Sequence, residues 1–339
     1  MQTLTDLKNT YAVITRSQVY FEKGESKKMD NSNNVNALLN TAKECGCDVA
    51  LNEPLSAHTT FKIGGCCTAM ININSAQSLK NLIDIARQQS LRYFVLGKGS
   101  NVLFDDKGFD GVIFHIGTGF DELELVGERT VRVQAGCSLM KLCRFALDNS
   151  LTGLEFAYGI PGTVGGGVFM NAGAYGGEIK DVLKSCTVVT AEGEIKELEA
   201  SQLELSYRHS ALMQSGDVVC EAVFELEKGD KNDIENKMNE LMGRRKEKQP
   251  LDYPNAGSTF KRPEGFFAGK LIQDCGLRGF TVGGAKVSDK HCGFVINENN
   301  ATSSDVVSLI EQVQKIVQKE TGQFLECEVR IVPYKVEKR

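Results

Sequence analysis

The chain contains 339 residues, of which 41% are hydrophobic and 24% are charged. This apolar content suffices for two or three packed domains and excludes a largely disordered protein. The formal net charge of -5 argues against nonspecific nucleic-acid binding, and no apolar run approaches the roughly 18 residues that span a bilayer.

The cysteines and histidines form no pattern typical of disulfides or metal sites. The eleven cysteines are an odd number with scattered spacings, so we expect reduced thiols, mostly small buried residues. The amino terminus lacks the charged-then-apolar pattern of a signal peptide, which predicts a cytoplasmic protein. None of the four histidines stands in a ligand spacing, and no metal site is expected.

Residues 1–57 are interpreted as an amino-terminal extension and lead-in, because residues 1–28 are polar, weakly periodic and open to disorder. From about residue 58, strand and helix patterns alternate. MININ (70–74) and RYFVLG (92–97) predict strands on either side of a helix. The apolar face of that helix is expected to consist of Leu79, Leu82, Ile83 and Ala86.

Strands dominate the next part of the chain, with helices interspersed. Strands are predicted over GVIFHI (111–116), ELELV and TVRVQAG, and a helix over SLMKLCRFALDNS with Ser138 as its N-cap. The segment TVVTAEGEIKEL predicts a hairpin that turns at Glu192 and Gly193.

The sequence changes in character near residue 229, where we predict a domain boundary. A polar helix over 231–248, with Ile234, Met238 and Leu241 on one side, ends before Pro250. A last helix is predicted from Ser304 to about Lys319, followed by a strand, FLECEVRIV (324–332). Alternation in that strand places Glu326, Glu328 and Arg330 together on one face.

Two glycine-rich stretches carry the strongest functional signal. They are GKGSN (97–101) and GIPGTVGGGVFMNAGAYGGE (159–178), the second with eight glycines. Dense glycine exposes backbone N–H groups, which can hold an anion such as a diphosphate. Neither stretch matches the dinucleotide-binding or P-loop fingerprints. Tight turns are the alternative reading for any single glycine.

Several motifs in fixed order resemble the UDP-N-acetylenolpyruvoylglucosamine reductase family, from about Asn52 to Val332. They are FKIGG (61–65), LGKGSNVLFDD (96–106), GIPGTVGGGVFMNAGAYGGE, LSYRHS (205–210), NAGSTFKRP (255–263), AGKLIQDCGLRG, GGAKVSDKHCGFVIN (283–297) and LECEVR (325–330).

The resemblance implies an α+β fold: a two-lobed FAD-binding domain of the vanillyl-alcohol-oxidase (PCMH) type over 58–228, and a carboxy-terminal α/β substrate-binding domain over 229–339. It implies noncovalent FAD held by the glycine loops. The implied cofactor residues are Leu96, Gly97, Lys98, Gly99, Ser100, Asn101, Gly159, Ile160, Pro161, Gly162, Thr163, Gly165, Gly166, Asn171, Gly173 and Ala174.

The resemblance also implies the chemistry, which is reduction of UDP-N-acetylglucosamine enolpyruvate to UDP-N-acetylmuramate in peptidoglycan precursor synthesis. NADPH reduces the flavin, and the substrate then receives a hydride from flavin N5. Arg208 and Glu328 would stabilise the enolate-like charge, and Ser258 would donate the proton, with Lys261 as a candidate helper.

Each of these three residues also has a structural reading. Arg208 could instead form an ion pair at the surface, and Glu328 could form an exposed cross-strand pair. Ser258 is open to a turn-stabilising role.

For the substrate, the family positions that match are Lys248, Arg262 and His291. The two cations suit a diphosphate, although Lys248 is open to a solvated role at a helix end. Arg262 places the chain nearer the shorter-looped branch of the family, so no capping tyrosine is named. A monomer is expected.

Two other functions stay open at this point. A flavin oxidase of the same fold could tether its flavin through His58 or through Cys66 or Cys67, which lie near the first motif. A catalytically inactive flavin- or nucleotide-binding module is the other, although the intact set of Arg208, Ser258 and Glu328 disfavours it.

Overall fold

The computed structural model of the chain describes residues 31–335, and the predicted extension 1–28 lies outside that range. Its first elements are α1 (Asn31–Glu44), β1 (Asp48–Leu51), β2 (Cys67–Asn72), α2 (Ala76–Gln88), β3 (Tyr93–Leu96), β4 (Val102–Phe104) and β5 (Phe109–His115). Four of the strands form a sheet in the order β1-β2-β5-β3. Strands β2, β5 and β3 are parallel, whereas β1 pairs with β2 antiparallel.

Helix α2 shows why local sequence predicted this region correctly. Ser75 accepts a hydrogen bond from the N–H of Ser78, and the Ser78 hydroxyl accepts one from the N–H of Ser75, so the first turn is capped on both sides. The four apolar residues predicted to share one face are all buried. The helix therefore connects β2 to β3 with its apolar face in the core.

A second sheet follows along the chain. The next elements are β6 (Leu123–Leu125), β7 (Thr130–Gln134), α3 (Leu139–Asp148), β8 (Leu151–Thr152), α4 (Val164–Phe169), β9 (Gly173–Ala174), β10 (Gly177–Glu178), β11 (Leu183–Val189), β12 (Ile195–Glu199), α5 (Leu212–Ser215), β13 (Val218–Glu225) and β14 (Glu227–Lys228). Five strands form an antiparallel sheet in the order β12-β11-β13-β7-β6. The hairpin predicted to turn at Glu192 and Gly193 is confirmed, with Gly193 at a φ of 85°.

The remaining elements are α6 (Lys231–Lys248), α7 (Ala268–Asp274), β15 (Thr281–Val282), β16 (Ala285–Val287), β17 (Val295–Asn297), α8 (Ser303–Thr321) and β18 (Arg330–Val332). Helices α7 and α8 and the β15-β16-β17 sheet enclose a second core. Helix α6 instead contributes Ile234 and Met238 to the first core. Among residues 31–335, no helix is both long and apolar enough to cross a membrane.

Among the contacts between residues 249–335 and the preceding part of the chain, two involve β4 and the residues that follow it. Strand β18 pairs with β4 in parallel, from Arg330 opposite Val102 to Val332 opposite Phe104. Asp106, just after β4, lies against the first turn of helix α8, whose own N-cap is Thr302, and its carboxylate accepts hydrogen bonds from the N–H of Ser303 at 2.7 Å and from its hydroxyl at 2.9 Å. A carboxylate at a helix N-terminus satisfies N–H groups that have no partner inside the helix.

The strand predicted over 324–332 is wrong for most of its length. Only Arg330–Val332 pairs as a strand, and Cys327 makes a single bridge to Phe260. The predicted common face is also wrong, because Glu326 is exposed whereas Glu328 is buried. Residues 326–328 pair instead with the short segment 259–261, through the Lys261 N–H to the Glu326 carbonyl and the Glu328 N–H to the Thr259 carbonyl, and this pairing amounts to a single bridge rather than a strand.

Replacing Asp106 by Ala should destabilise the protein by about 1 kcal/mol, because the first turn of helix α8 keeps its Thr302 cap but loses the carboxylate that accepts from the Ser303 N–H and hydroxyl. The measurement is urea unfolding followed by circular dichroism, since the chain contains no tryptophan. Asp252→Ala, at an exposed position, is the matched control. Equal midpoints for the two variants would contradict the expected role of the Asp106 carboxylate.

Candidate active site

One cavity of about 340 Å³ is lined by residues from both parts of the chain. Most of the cofactor residues implied by the resemblance lie on its wall. These are Leu96, Gly97, Lys98, Gly99, Ser100, Asn101, Ile160, Pro161, Gly162, Thr163, Gly165, Gly166, Gly173 and Ala174. Arg208, Ser258 and Glu328 line the same cavity, so the structure brings the glycine loops and the three polar residues together.

The loop 97–101 connects β3 to β4 and depends on glycine. Gly99 has a φ of 64°, and a Cβ there would lie 2.1 Å from the carbonyl oxygen of His58. Within residues 31–335, the five N–H groups of this loop donate to no protein acceptor. Buried or partly buried N–H groups without partners are rare in folded proteins. The loop therefore offers a row of donors suited to an anion.

The second glycine stretch packs directly against the first. A Cβ on Gly97 would lie 2.5 Å from the Thr163 hydroxyl oxygen, so the two stretches meet without an intervening side chain. Gly165 is also packed closely, because a Cβ on this residue would lie 2.9 Å from the Cβ of Ala135. Bare backbone consequently forms much of the cavity wall. This wall fits FAD, whose diphosphate needs N–H donors and whose flat ring needs close approach.

Two of the implied cofactor residues lie off the cavity wall. Gly159 faces helix α6, where a Cβ would lie 2.7 Å from the Met242 side chain. Asn171 is buried and connects the second glycine-rich stretch to neighbouring segments. Its side-chain amide donates to the carbonyl of Ser206 at 2.9 Å, and its side-chain oxygen accepts from the N–H of Lys180.

Arg208 and Glu328 form an ion pair at the cavity wall. The Nε of Arg208 donates to Oε1 of Glu328 at 2.6 Å, and a second nitrogen of its guanidinium donates to the carbonyl of Gly173 at 3.1 Å. Arg208 also holds a left-handed backbone conformation, with a φ of 54°. Such conformations are uncommon for residues other than glycine and occur often at functional sites.

Glu328 is held in a buried position, with 9% of its surface exposed. Burial raises the pKa of its carboxyl group, and the neighbouring Arg208 partly offsets that rise. Its backbone is fixed on both sides: its N–H donates to the carbonyl of Thr259, and its carbonyl accepts from the amide of Asn101 at 3.2 Å. The cofactor loop and Glu328 are therefore directly connected.

Ser258 precedes Thr259, whose carbonyl accepts from the Glu328 N–H, so the backbone segments that carry Ser258 and Glu328 are directly connected. Ser258 lines the cavity, and its hydroxyl has no hydrogen-bond partner in the described part of the chain. Lys261, the candidate helper, does not line the cavity and pairs with Glu326 at 2.7 Å, although its charge, like that of Arg208, partly offsets the raised pKa of Glu328.

The three residues matched to substrate binding lie outside the cavity lining. Lys248 is exposed at the end of α6, and Arg262 is exposed with its guanidinium 4.7 Å from the ring centre of Phe267. His291 packs against Phe294, which does line the cavity, and burial lowers the pKa of this histidine.

Sequence reasoning missed several residues of the cavity wall, among them a buried cation, Arg245. Its position continues the apolar spacing of Ile234, Met238 and Leu241 along α6, and it is buried with them. A cation on the apolar face of an otherwise polar helix was the available signal.

The residues considered as flavin tethers do not line the cavity. His58 pairs with Glu53 at 2.7 Å, Cys66 is exposed, and Cys67 is buried. No group of three or more potential metal ligands occurs among the residues that the structure describes.

The cavity and its glycine loops define the class of protein, an FAD-binding oxidoreductase. The family profile described as "FAD binding domain" matches residues 68–199. A second profile, "UDP-N-acetylenolpyruvoylglucosamine reductase, C-terminal domain", matches residues 249–332. These matches confirm the predicted α+β fold class with an FAD-binding domain.

Curated relatives carry the same description over nearly their whole length. The UDP-N-acetylenolpyruvoylglucosamine reductase of Lachnoclostridium phytofermentans is 50% identical over 85% of this chain and 94% of its own. That of Caldanaerobacter subterraneus is 48% identical over 83% and 93%. A crystal structure of the enzyme from Thermus caldophilus superposes with a TM-score of 0.72 at 33% identity, covering 85% of this chain and 99% of that one. The chain belongs to the UDP-N-acetylenolpyruvoylglucosamine reductase family.

Replacing Glu328 by Gln should reveal the raised pKa of this carboxyl group as a pH dependence of stability. Its ordinary pKa is 4.5, so between pH 4.5 and the higher folded-state pKa the folded protein binds a proton that the unfolded chain has lost. The stability that this proton contributes is fully present below pH 4.5 and is lost as the pH rises through the folded-state pKa.

We therefore expect the unfolding free energy of the wild type, relative to Glu328→Gln, to fall as the pH rises through that window. Urea titrations at several pH values, followed by circular dichroism, measure it. Glu326→Gln removes an exposed carboxylate two residues away and serves as the matched control. A relative stability that stays constant or rises with pH would contradict the raised pKa.

Proposed function

We propose that this chain reduces UDP-N-acetylglucosamine enolpyruvate to UDP-N-acetylmuramate in peptidoglycan precursor synthesis, with NADPH as reductant and noncovalent FAD. One observation carries the proposal: the unpaired N–H groups of loop 97–101 share a cavity with Arg208, Ser258 and Glu328. When bound there, FAD would supply the hydride transfer from NADPH to the enolpyruvyl double bond. The family membership of the chain supports the same reaction.

Arg208 is proposed to stabilise the negative charge that develops on the substrate. Adding a hydride to an enol ether conjugated with a carboxylate places charge on the α-carbon and on that carboxylate. Two nitrogens of the Arg208 guanidinium are engaged by Glu328 and Gly173, and a guanidinium carries five N–H donors. The remaining donors are available to the substrate in a fixed orientation, which lowers the cost of reorganisation.

Ser258 is proposed to donate the proton to the α-carbon. Its hydroxyl lines the cavity and has no partner in the described residues. A serine needs help to act as an acid. Because Lys261 is engaged by Glu326 and does not line the cavity, we assign this help to the Arg208–Glu328 pair, which lines the same cavity as Ser258.

The nucleotide end of the substrate is proposed to extend out of the cavity toward Lys248, Arg262 and His291. The two exposed cations suit the diphosphate. Burial lowers the pKa of His291, so this side chain is neutral near pH 7 and would contribute a hydrogen bond rather than a charge.

Replacing Gly162 by Ala tests whether FAD lies against the glycine wall. The nearest protein atoms to a Cβ at this position are 3.7 Å away, so the protein itself tolerates the methyl group. A bound cofactor in contact with this backbone would not, and we expect FAD affinity to fall about tenfold or more.

Titration of the apoprotein with FAD measures this affinity. Gly243→Ala, on the exposed side of α6 with nothing within 4 Å of the added carbon, is the matched control. Equal affinities for the two variants would place FAD away from Gly162.

Replacing Ser258 by Ala should separate the two half-reactions. We expect NADPH to bleach the flavin band of this variant at the wild-type rate, because the serine takes no part in flavin reduction. Reoxidation by UDP-N-acetylglucosamine enolpyruvate should slow by roughly 10²- to 10⁴-fold, the usual contribution of a general acid. Anaerobic stopped-flow absorbance measures both steps, with exposed Ser201→Ala as the control.

Two observations on the wild-type protein discriminate the other functions, one from the same stopped-flow experiment and one from acid precipitation. A wild-type protein that binds FAD but is not bleached by NADPH would be an inactive binding module. A yellow colour that stays with the acid-precipitated protein would indicate a tethered flavin, as in an oxidase.

A further inference from the structure

Arg245 is a buried cation on the cavity wall that the reaction described above does not use. It lies in the last turn of α6, with 7% of its surface exposed. One terminal nitrogen donates to Oε1 of Gln249 at 3.1 Å, and the guanidinium carbon lies 5.9 Å from the ring centre of Tyr175. Its Nε has no hydrogen-bond partner within the described residues.

A buried guanidinium without an opposite charge lowers the stability of the protein when no ligand is bound. No carboxylate pairs with Arg245 among residues 31–335, in contrast to Arg208. Burial lowers the pKa of Arg245, yet a guanidinium keeps its charge in proteins. A buried charge without an opposite charge is among the most expensive groups to retain.

The surrounding residues fix where the guanidinium lies. A Cβ on Gly159 would lie 3.3 Å from Cδ of Arg245, so the absence of a side chain at residue 159 makes room for the stem of the arginine. Ile160, Pro161 and Gly162, which follow directly, line the cavity together with Arg245. The charge is therefore positioned beside the second glycine stretch.

The chemistry of the group indicates its ligand. A guanidinium binds phosphate oxygens through paired hydrogen bonds, and these bonds strengthen in a site shielded from water. We propose that Arg245 binds the diphosphate of a nucleotide in this cavity. Two nucleotides have this chemistry, FAD and the UDP moiety of the sugar substrate. The inference rests on the proposed function for the presence of both.

Arg245→Met tests the proposal, because methionine keeps an apolar stem and removes the charge. Two dissociation constants are measured: that of FAD for the apoprotein, by fluorescence, and that of UDP for the FAD-saturated protein, by calorimetry. We expect one of them to rise roughly 10- to 100-fold. If only the dissociation constant of FAD rises, Arg245 binds the diphosphate of the cofactor. If only that of UDP rises, Arg245 binds the diphosphate of the substrate.

Arg244→Met is the matched control, because Arg244 lies next to Arg245 on the exposed side of α6 and pairs with Glu240. Arg245→Lys should restore part of the lost affinity. Raising the salt concentration should weaken the wild-type affinity more than that of Arg245→Met. A purely structural arginine would move neither readout, and its removal would instead lower the thermal midpoint of the protein.

If the two dissociation constants of Arg245→Met equal those of Arg244→Met, the proposed role of Arg245 is wrong and the proposed function is unaffected. A wild-type protein that binds neither FAD nor UDP would overturn both.

Discussion

The parallel pairing of β4 with β18 is the contact on which the cavity depends. Loop 97–101 leads directly into β4, and Glu328 leads directly into β18, so three residue pairs set the distance between the cofactor loop and the carboxylate. Asn101 extends this pairing, because its main-chain oxygen accepts from the N–H of Arg330 and its amide donates to the carbonyl of Glu328. The two parts of the chain thereby form one site.

The cavity keeps polar groups that an ordinary core would exclude. Within the described residues, the N–H groups of loop 97–101 have no protein acceptor and the buried cation Arg245 has no carboxylate partner, while Glu328 is a buried carboxyl group. Each of these groups costs stability in the protein alone. Together they describe a wall whose hydrogen bonds and charges are completed by bound molecules, one side suited to diphosphate and the other to a reacting carboxylate.

Local signals in the sequence predicted most elements but not the contacts between distant segments. Helix α2 and its cap at Ser75, and the hairpin at Gly193, follow from residues within a few positions of each other. Arg208, Ser258 and Glu328, which the family motifs implied, line one cavity, and their roles stay predictions. Alternation failed over 324–329, because this segment pairs with 259–261 and its Glu328 side chain meets Arg208, contacts between residues that lie far apart in the sequence. Arg245 was missed because a charged residue was not expected among the buried positions of α6, although it continues the spacing of Ile234, Met238 and Leu241.

The pairing of β4 with β18 also orders the events of biosynthesis. Strand β4 has no other strand partner in the described chain, and the residues that join the two segments are 227 positions apart. Until β18 leaves the ribosome, the nascent chain presents β4 as an open edge, and closing so long a loop is slow. The cofactor loop therefore acquires this support only after residues 330–332 have been synthesised, so a chain that stops before β18 carries an incomplete site however well its first part folds.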